Sequence, residues 1–274
     1  MREVWQGSDL NRLLIIYGGG AILSLGAVLI GSGRSWWLVA IGFVGLLLLF
    51  YFLVVSVWAA YQRYQVTEQR EEQVLWRLGR IRPEDALVLV GLGLRQLPLA
   101  LGGRLTGGHL TVIDVYNPQL TPSPALVRLR QHSGRDSADL RFTWLDGRIE
   151  LLPLPDNSAK TIILSHTLSQ FWQDGDCQQL LTEIERVLAP GGQLLLAEST
   201  RTQTNLWVLG WRWLGLHPAG YWRQLLTQNH FVIKQEAEML GLVHYFVAQK
   251  PAPQTMHQLS FQFVQPTRRE VIRF

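Results

Sequence analysis

Residues 86–95 read ALVLVGLGLR. An apolar run of five residues without a charge suits a strand buried on both faces of a parallel sheet. Gly91 and Gly93 then place a turn at the strand's carboxyl end, where missing side chains let a ligand approach the backbone. A plain tight turn is the alternative for this stretch taken alone. The pattern repeats along the chain. Residues 110–115, 140–145, 161–165 and 193–198 read as further strands, while 118–132 and the amphipathic 177–188 read as helices between them. Strands alternating with helices predict an α/β fold with a parallel sheet covered on both faces. Residues 231–239 and 242–249 are separated by little more than Gly241. That spacing is too short for a parallel crossover, so these two strands pair antiparallel.

Asp114 closes the second strand, 23 residues beyond Gly91. An acid there accepts both ribose hydroxyls of a nucleotide ligand; capping of the turn at Asn117 and Pro118 is the competing role.

Upstream the composition changes. Residues 13–33 carry no charge, and as a helix would extend about 31 Å, against about 30 Å of hydrocarbon in a bilayer. A second uncharged stretch covers 35–61, and Arg34 lies in the turn between them. A helical hairpin satisfies every backbone polar group internally, as a bilayer requires. Trp36, Trp37, Trp58, Tyr61 and Tyr64 fall near the expected ends, and Gly18, Gly19, Gly20 and Gly26 offer close helix approach. Arg63, Arg70, Arg77, Arg80 and Arg82 follow the second stretch. The positive-inside rule then places both termini and the soluble domain in the cytoplasm. The expected organisation is a membrane hairpin over 1–62, a juxtamembrane helix or linker over 63–82, the sheet domain over 83–251, and a tail over 252–274.

The formal charge is +4, with no dense basic block interleaved with aromatics, so nucleic acid is not an expected partner. One cysteine, Cys177, excludes an intrachain disulfide and a cysteine-based zinc site. Asp174 and Asp176 read as caps of the following helix rather than metal ligands.

Two further segments carry a resemblance. Residues 151–158, LLPLPDNS, and 180–196, LLTEIERVLAPGGQLLL, resemble the ubiquinone/menaquinone type of class I S-adenosylmethionine (SAM) dependent methyltransferase. Residues 221–251 resemble that family's last helix and closing hairpin, so the likeness covers about residues 70–251. It implies a Rossmann-like sheet of seven strands with the last antiparallel, and SAM as cofactor. It assigns Gly91 and Gly93 to the methionine part of SAM, Asp114 to the ribose, and Val115 and Tyr116 to the border of the adenine. Ser165, His166 and Thr167 would face the methyl group and the acceptor. By its chemistry His166 is the candidate general base, the alternatives being a histidine that only hydrogen-bonds near the strand end and a transfer that needs positioning without a base. The chain departs from the family at four positions: Leu89, Arg95, Arg148 and Lys160 stand where acids or a glycine are usual, and Asp146 is near enough to take the adenine-binding role.

The Trp- and Arg-rich stretch 205–222 reads either as a lid admitting a lipid-like acceptor or as a helix packed on the hairpin. The expected function is a membrane-anchored SAM-dependent methyltransferase for a hydrophobic acceptor such as a quinone precursor, with the lipid bilayer as a partner. The departures support two rivals: a methyltransferase-like scaffold without activity, and a domain that binds an anionic ligand instead.

Overall fold

The computed structural model describes residues 18–26, 28–29, 36–69, 71–121, 123–132, 139–252 and 269–271. The chain forms two compact units, Met1–Gln65 and Val66–Phe274.

In the first unit, residues 18–26 and 28–29 are helical, as is the opening part of α1, Trp36–Gln69. A Cβ on Gly20 would meet Leu49 at 3.0 Å, one on Gly45 would meet Ser24 Oγ at 3.1 Å, and one on Gly42 would meet Val28 at 2.4 Å. As numbers rise on one segment they fall on the other, so the two pack antiparallel as a hairpin. Close approach uses Gly20, Gly42 and Gly45; Gly18, Gly19 and Gly26, also expected at the contact, have nothing within 4 Å. Large apolar side chains stay exposed on both segments, among them Ile22, Leu23, Trp36, Ile41, Phe43, Phe50 and Trp58. Among the described residues, however, no helix is long and apolar enough to cross a membrane. The expected spans 13–33 and 35–61 therefore gain no support, and part of the first lies outside the described residues.

In the second unit, α2 covers Glu71–Leu78. Residues 63–69 and 71–78 of the expected juxtamembrane segment are helical, and those from Val66 on belong to the second unit. Val74, Leu75 and Leu78 lie on one face and are 2%, 1% and 6% exposed. Gly79 ends the helix with its N–H on Leu75 O at 2.9 Å, and a Cβ there would strike Leu195 at 2.5 Å. Arg80 then turns in the left-handed region at φ 47°.

The sheet elements follow as β1 (Ala86–Gly91), α3 (Gln96–Gly102), β2 (His109–Asp114), α4 (Pro124–His132), β3 (Phe142–Asp146) and β4 (Ala159–Ser165). After them come α5 (Asp174–Val187), β5 (Leu188–Ser199), α6 (Gln203–Leu209), α7 (Ala219–Gln228), β6 (Val232–Met239), β7 (Val243–Gln249) and β8 (Arg269–Val271). The expected helix 118–132 is shortened because Leu120 and Thr121 N–H both return to Asn117 O at 3.0 Å, closing a turn before Pro124 starts the helix. Strand order is β3-β2-β1-β4-β5-β7-β6-β8, with β7 antiparallel to both neighbours. The sheet has eight strands rather than the expected seven, because three residues of the tail pair parallel with the edge strand β6.

Alternation along each strand builds two cores. Val88, Val90, Ile113, Ile162, Leu164 and Leu196 face α5 and α7, which supply Leu180, Leu181, Ile184 and Leu225. Leu87, Leu89, Val112, Ile163, Leu195 and Tyr245 share the other core with α2 and with Leu101 of α3. Leu89, the residue in place of the family's acid, is thereby a core residue at 5% exposure. Chain order runs outward from β1 to β3 on one side and from β4 to β5 on the other. The loops after β1 and β4 therefore diverge and open a crevice at the carboxyl edge.

Candidate functional site

Gly93 lies in the loop after β1 with φ +74°, a conformation that favours glycine. A Cβ there would reach to 1.9 Å of Arg130 Nη1 and 2.6 Å of Asp114 Oδ2. The loop is thus a cradle that a side chain would fill. Parallel pairing sets Gly91 beside Asp114 and Asp114 beside Asp146, so the three predicted positions line one edge. Asp114 is 8% exposed, and its Oδ1 accepts the Tyr116 N–H at 3.0 Å. Val115 is buried; Asp146 is exposed.

The cradle is taken by a residue that the sequence reading missed. From α4, Arg130 Nη1 donates to Asp114 Oδ1 at 2.9 Å and Nη2 to Oδ2 at 2.8 Å. Nη1 also donates to Leu92 O. The guanidinium lies 4.0 Å from the Tyr116 ring centre. A flat group on Tyr116 with two donors on Asp114 uses the acceptors that a nucleoside's diol needs. The residues therefore fit a nucleoside, and Arg130 stands in for it. Arg130 is 16 residues past Asp114 on a helix with no motif of its own, so no sequence signal pointed to it.

The three anticipated cations do not occupy this cradle. Arg95 lies 5.6 Å over Trp144, its buried Nε without a hydrogen-bond partner among the described residues. Arg148 is exposed, its backbone paired with Leu151. Lys160 is exposed near the start of β4, at the opposite edge of the sheet from the crevice, so its charge does not bear on the crevice. Of the cations behind the anionic-ligand reading, Lys160 is thus remote from the crevice and Arg95 lies against Trp144.

At the end of β4, Ser165 donates to the Glu71 carboxylate of α2. His166 is held at φ 48° with its N–H on Ala197 O at 2.8 Å. Its Nε2 lies 3.9 Å from Glu71 Oε2 and its Nδ1 3.5 Å from Ser199 Oγ. Thr167 is turned inward and donates to Ser165 O at 3.0 Å. Behind them Glu198 is fully buried and accepts the Leu168 N–H at 2.8 Å. Burial pushes its carboxyl up, against the opposing pull of His166 and the Ser169 and Leu168 donors. Burial likewise pushes the Cys177 thiol up to about 12, with the Glu198, Asp174 and Asp176 charges adding to it, so this cysteine is no nucleophile. No cluster of metal-binding side chains occurs among the described residues.

The Trp-rich stretch is not one surface. Trp222 is 1% exposed in the core, and Trp213 Nε1 donates to Thr202 O at 2.7 Å with Arg201 5.4 Å over its ring. Neither is offered to a lipid. The expected lid thus loses two of its aromatics to internal packing; Trp207, Trp211 and Arg212 lie outside the described side chains.

Residues 89–196, from β1 through β5, match the methyltransferase domain family. This match, together with the fold, supports the class I SAM-dependent methyltransferase superfamily for the sheet unit. The chain is 31% identical over 121 residues to carboxy-S-adenosyl-L-methionine synthase of Actinobacillus succinogenes, covering 44% of this chain and 47% of that protein. It is 27% identical over 117 residues to the ubiquinone/menaquinone biosynthesis C-methyltransferase UbiE of a Ruegeria species, covering 43% of each. The chain thus spans just under half the length of the curated relatives it matches. Among solved structures, a SAM-dependent methyltransferase from Aquifex aeolicus superposes with a TM-score of 0.54 at 14% identity, covering 70% of this chain and 98% of that one. That likeness is one of fold.

Proposed function

We propose that this chain is a SAM-dependent methyltransferase for a hydrophobic small molecule such as a quinone precursor, held at a lipid surface by its N-terminal hairpin. The observation that carries the reading is the cradle of Gly93, Asp114 and Tyr116 at the switch point of a methyltransferase domain. When bound there, SAM supplies an activated methyl group. Asp114 holds the ribose, Tyr116 and Val115 border the adenine, Asp146 and Ser165 flank the two ends, and Gly91 and Gly93 leave room for the methionine part. The acceptor meets the methyl near Ser165 and His166. The large apolar side chains exposed on both segments of the hairpin support lipid as its partner, and the arginines after 62 support a cytoplasmic placement of the domain.

For SAM to enter, Arg130 must leave Asp114. Its salt bridge is half-shielded, and breaking it costs about 1–3 kcal/mol. Calorimetry with SAM tests the reading directly. The full chain in detergent should bind at micromolar concentration, Arg130→Ala should bind about tenfold more tightly, and Asp114→Ala should not bind. If neither the parent chain nor Arg130→Ala takes up SAM at millimolar concentration, the reading fails. The same Arg130 contact then favours the second reading, a methyltransferase fold closed by its own arginine and used as a scaffold.

A further inference from the structure

The function just proposed leaves the acceptor's proton without a destination, and it leaves a buried acid, Glu71, without a role. Glu71 is 6% exposed and sits on α2, 94 residues before Ser165, outside the stretch matched to the family. The apolar packing of that helix is made by Val74, Leu75 and Leu78. An acid in that setting is costly unless it is partnered. Its partners are Ser165 and His166, both at the carboxyl end of β4, where two loops of the sheet diverge.

We infer that His166 accepts the proton released by the acceptor during methyl transfer, and that Glu71 is its positioning residue. The inference rests on the methyltransferase reading and adds to it a residue from outside the matched domain. The geometry suits the task. His166 is 29% exposed at the side chain, so an acceptor can reach it, whereas Glu71 at 8% is screened. Nε2 faces the Glu71 carboxylate at 3.9 Å, too long for a hydrogen bond and within ion-pair distance once the ring is protonated. Nδ1, 3.5 Å from Ser199 Oγ, is the nitrogen left to take a proton. The left-handed backbone at His166, pinned by its N–H to Ala197 O, turns the ring toward both groups. The titratable groups facing the ring are Glu71 from α2 and Glu198 from β5; Glu72 and Tyr245 stand behind Glu71.

The step balances. A lone pair of the acceptor forms the bond to the methyl carbon, and the carbon–sulfur pair stays on sulfur, which loses its positive charge. The acceptor's O–H or N–H proton passes to His166 Nδ1. The resulting imidazolium lies beside the Glu71 carboxylate, and its proton then goes to water.

The test uses the full chain in detergent. In the parent, nitrogen-15 shifts of His166 should report one dominant neutral tautomer, with the proton on Nε2. Glu71→Gln should return a mixed tautomer population, and Glu71→Asp should restore the single one. With 1,4-naphthohydroquinone as probe acceptor, Glu71→Gln should lower kcat at least tenfold with KM and SAM affinity within twofold, and Glu71→Asp should recover most of the rate. An unchanged tautomer in Glu71→Gln overturns the pair while leaving the methyltransferase reading intact, provided SAM still binds. A shifted tautomer in a chain that binds no SAM overturns the methyltransferase reading and with it the pair's use in transfer. A SAM-binding parent that does not methylate the probe, or a Glu71→Gln rate equal to the parent's, also overturns the proposal.

Discussion

At the scale of single residues, the crevice is governed by what lacks a side chain and by what lacks a partner. Gly93 has φ +74°, and the carbon added in Gly93→Ala would sit 2.6 Å from Asp114 Oδ2 even after Arg130 has moved away. Gly93→Ala is expected to cost about 1–3 kcal/mol in urea unfolding and to abolish SAM binding by calorimetry; a variant that binds SAM as the parent does would show that the loop does not cradle the ligand. Glu198 makes the pH prediction. Burial raises its carboxyl in the folded state. The folded state then binds its proton more readily than the unfolded one, so stability is gained as pH falls through the raised value and lost as pH rises from the unfolded value toward it. Glu198→Gln keeps an acceptor for the Leu168 N–H without a charge. Its Tm should exceed the parent's by a few degrees at pH 8 and by less at pH 5; equal gains at both would refute the burial argument. Gly91, Gly93 and Asp114 are legible in the sequence because a glycine turn and a strand-ending acid are local patterns. Arg130 is not, because its partners are 16 and 38 residues away in sequence and an arginine on a helix has no marking.

At the scale of elements, α2 changes its meaning between sequence and structure. Its apolar spacing at Val74, Leu75 and Leu78 is readable, and those residues are buried. What covers them is not readable, since an apolar stripe does not name the surface it meets. The helix closes the core that contains Leu195, Ala197 and Tyr245. A chain trimmed to begin at residue 83 is therefore expected to be less stable to urea than one beginning at 66, and Leu75→Ala alone should cost about 2–5 kcal/mol. Equal midpoints for the two trimmed chains would show that α2 is dispensable to the sheet domain. The strands behaved differently. Every strand read from the apolar runs is present, with ends shifted by a few residues. The eighth strand, in the tail, is three residues long, too short for a period to show in the sequence.

At the scale of the whole molecule, the two units differ in what they leave on the surface. The sheet unit buries its large side chains in two cores. The hairpin leaves Trp36, Trp37, Phe43, Phe50 and Tyr51 each more than half exposed. Apolar surface of that extent calls for a partner. The full chain is expected to float with anionic lipid vesicles, while a chain starting at residue 66 stays behind and still melts cooperatively. Flotation of the trimmed chain would place the lipid contact on the methyltransferase domain instead.

The sequence by itself determined the alternation of strand and helix, the antiparallel closing pair, the glycine loop with its acid, and the likeness to methyltransferases. Each of these is written in neighbouring residues, through periods of two and 3.6 and through turn chemistry. Only the tertiary structure decided that Arg130 lies on Asp114, that Glu71 stands beside His166, that Trp222 belongs to the core, and that Lys160 is at the far edge. Those facts depend on which elements the fold brings together. Side-chain pairing across elements is set by the packing of the whole chain, and no short stretch of it carries that information.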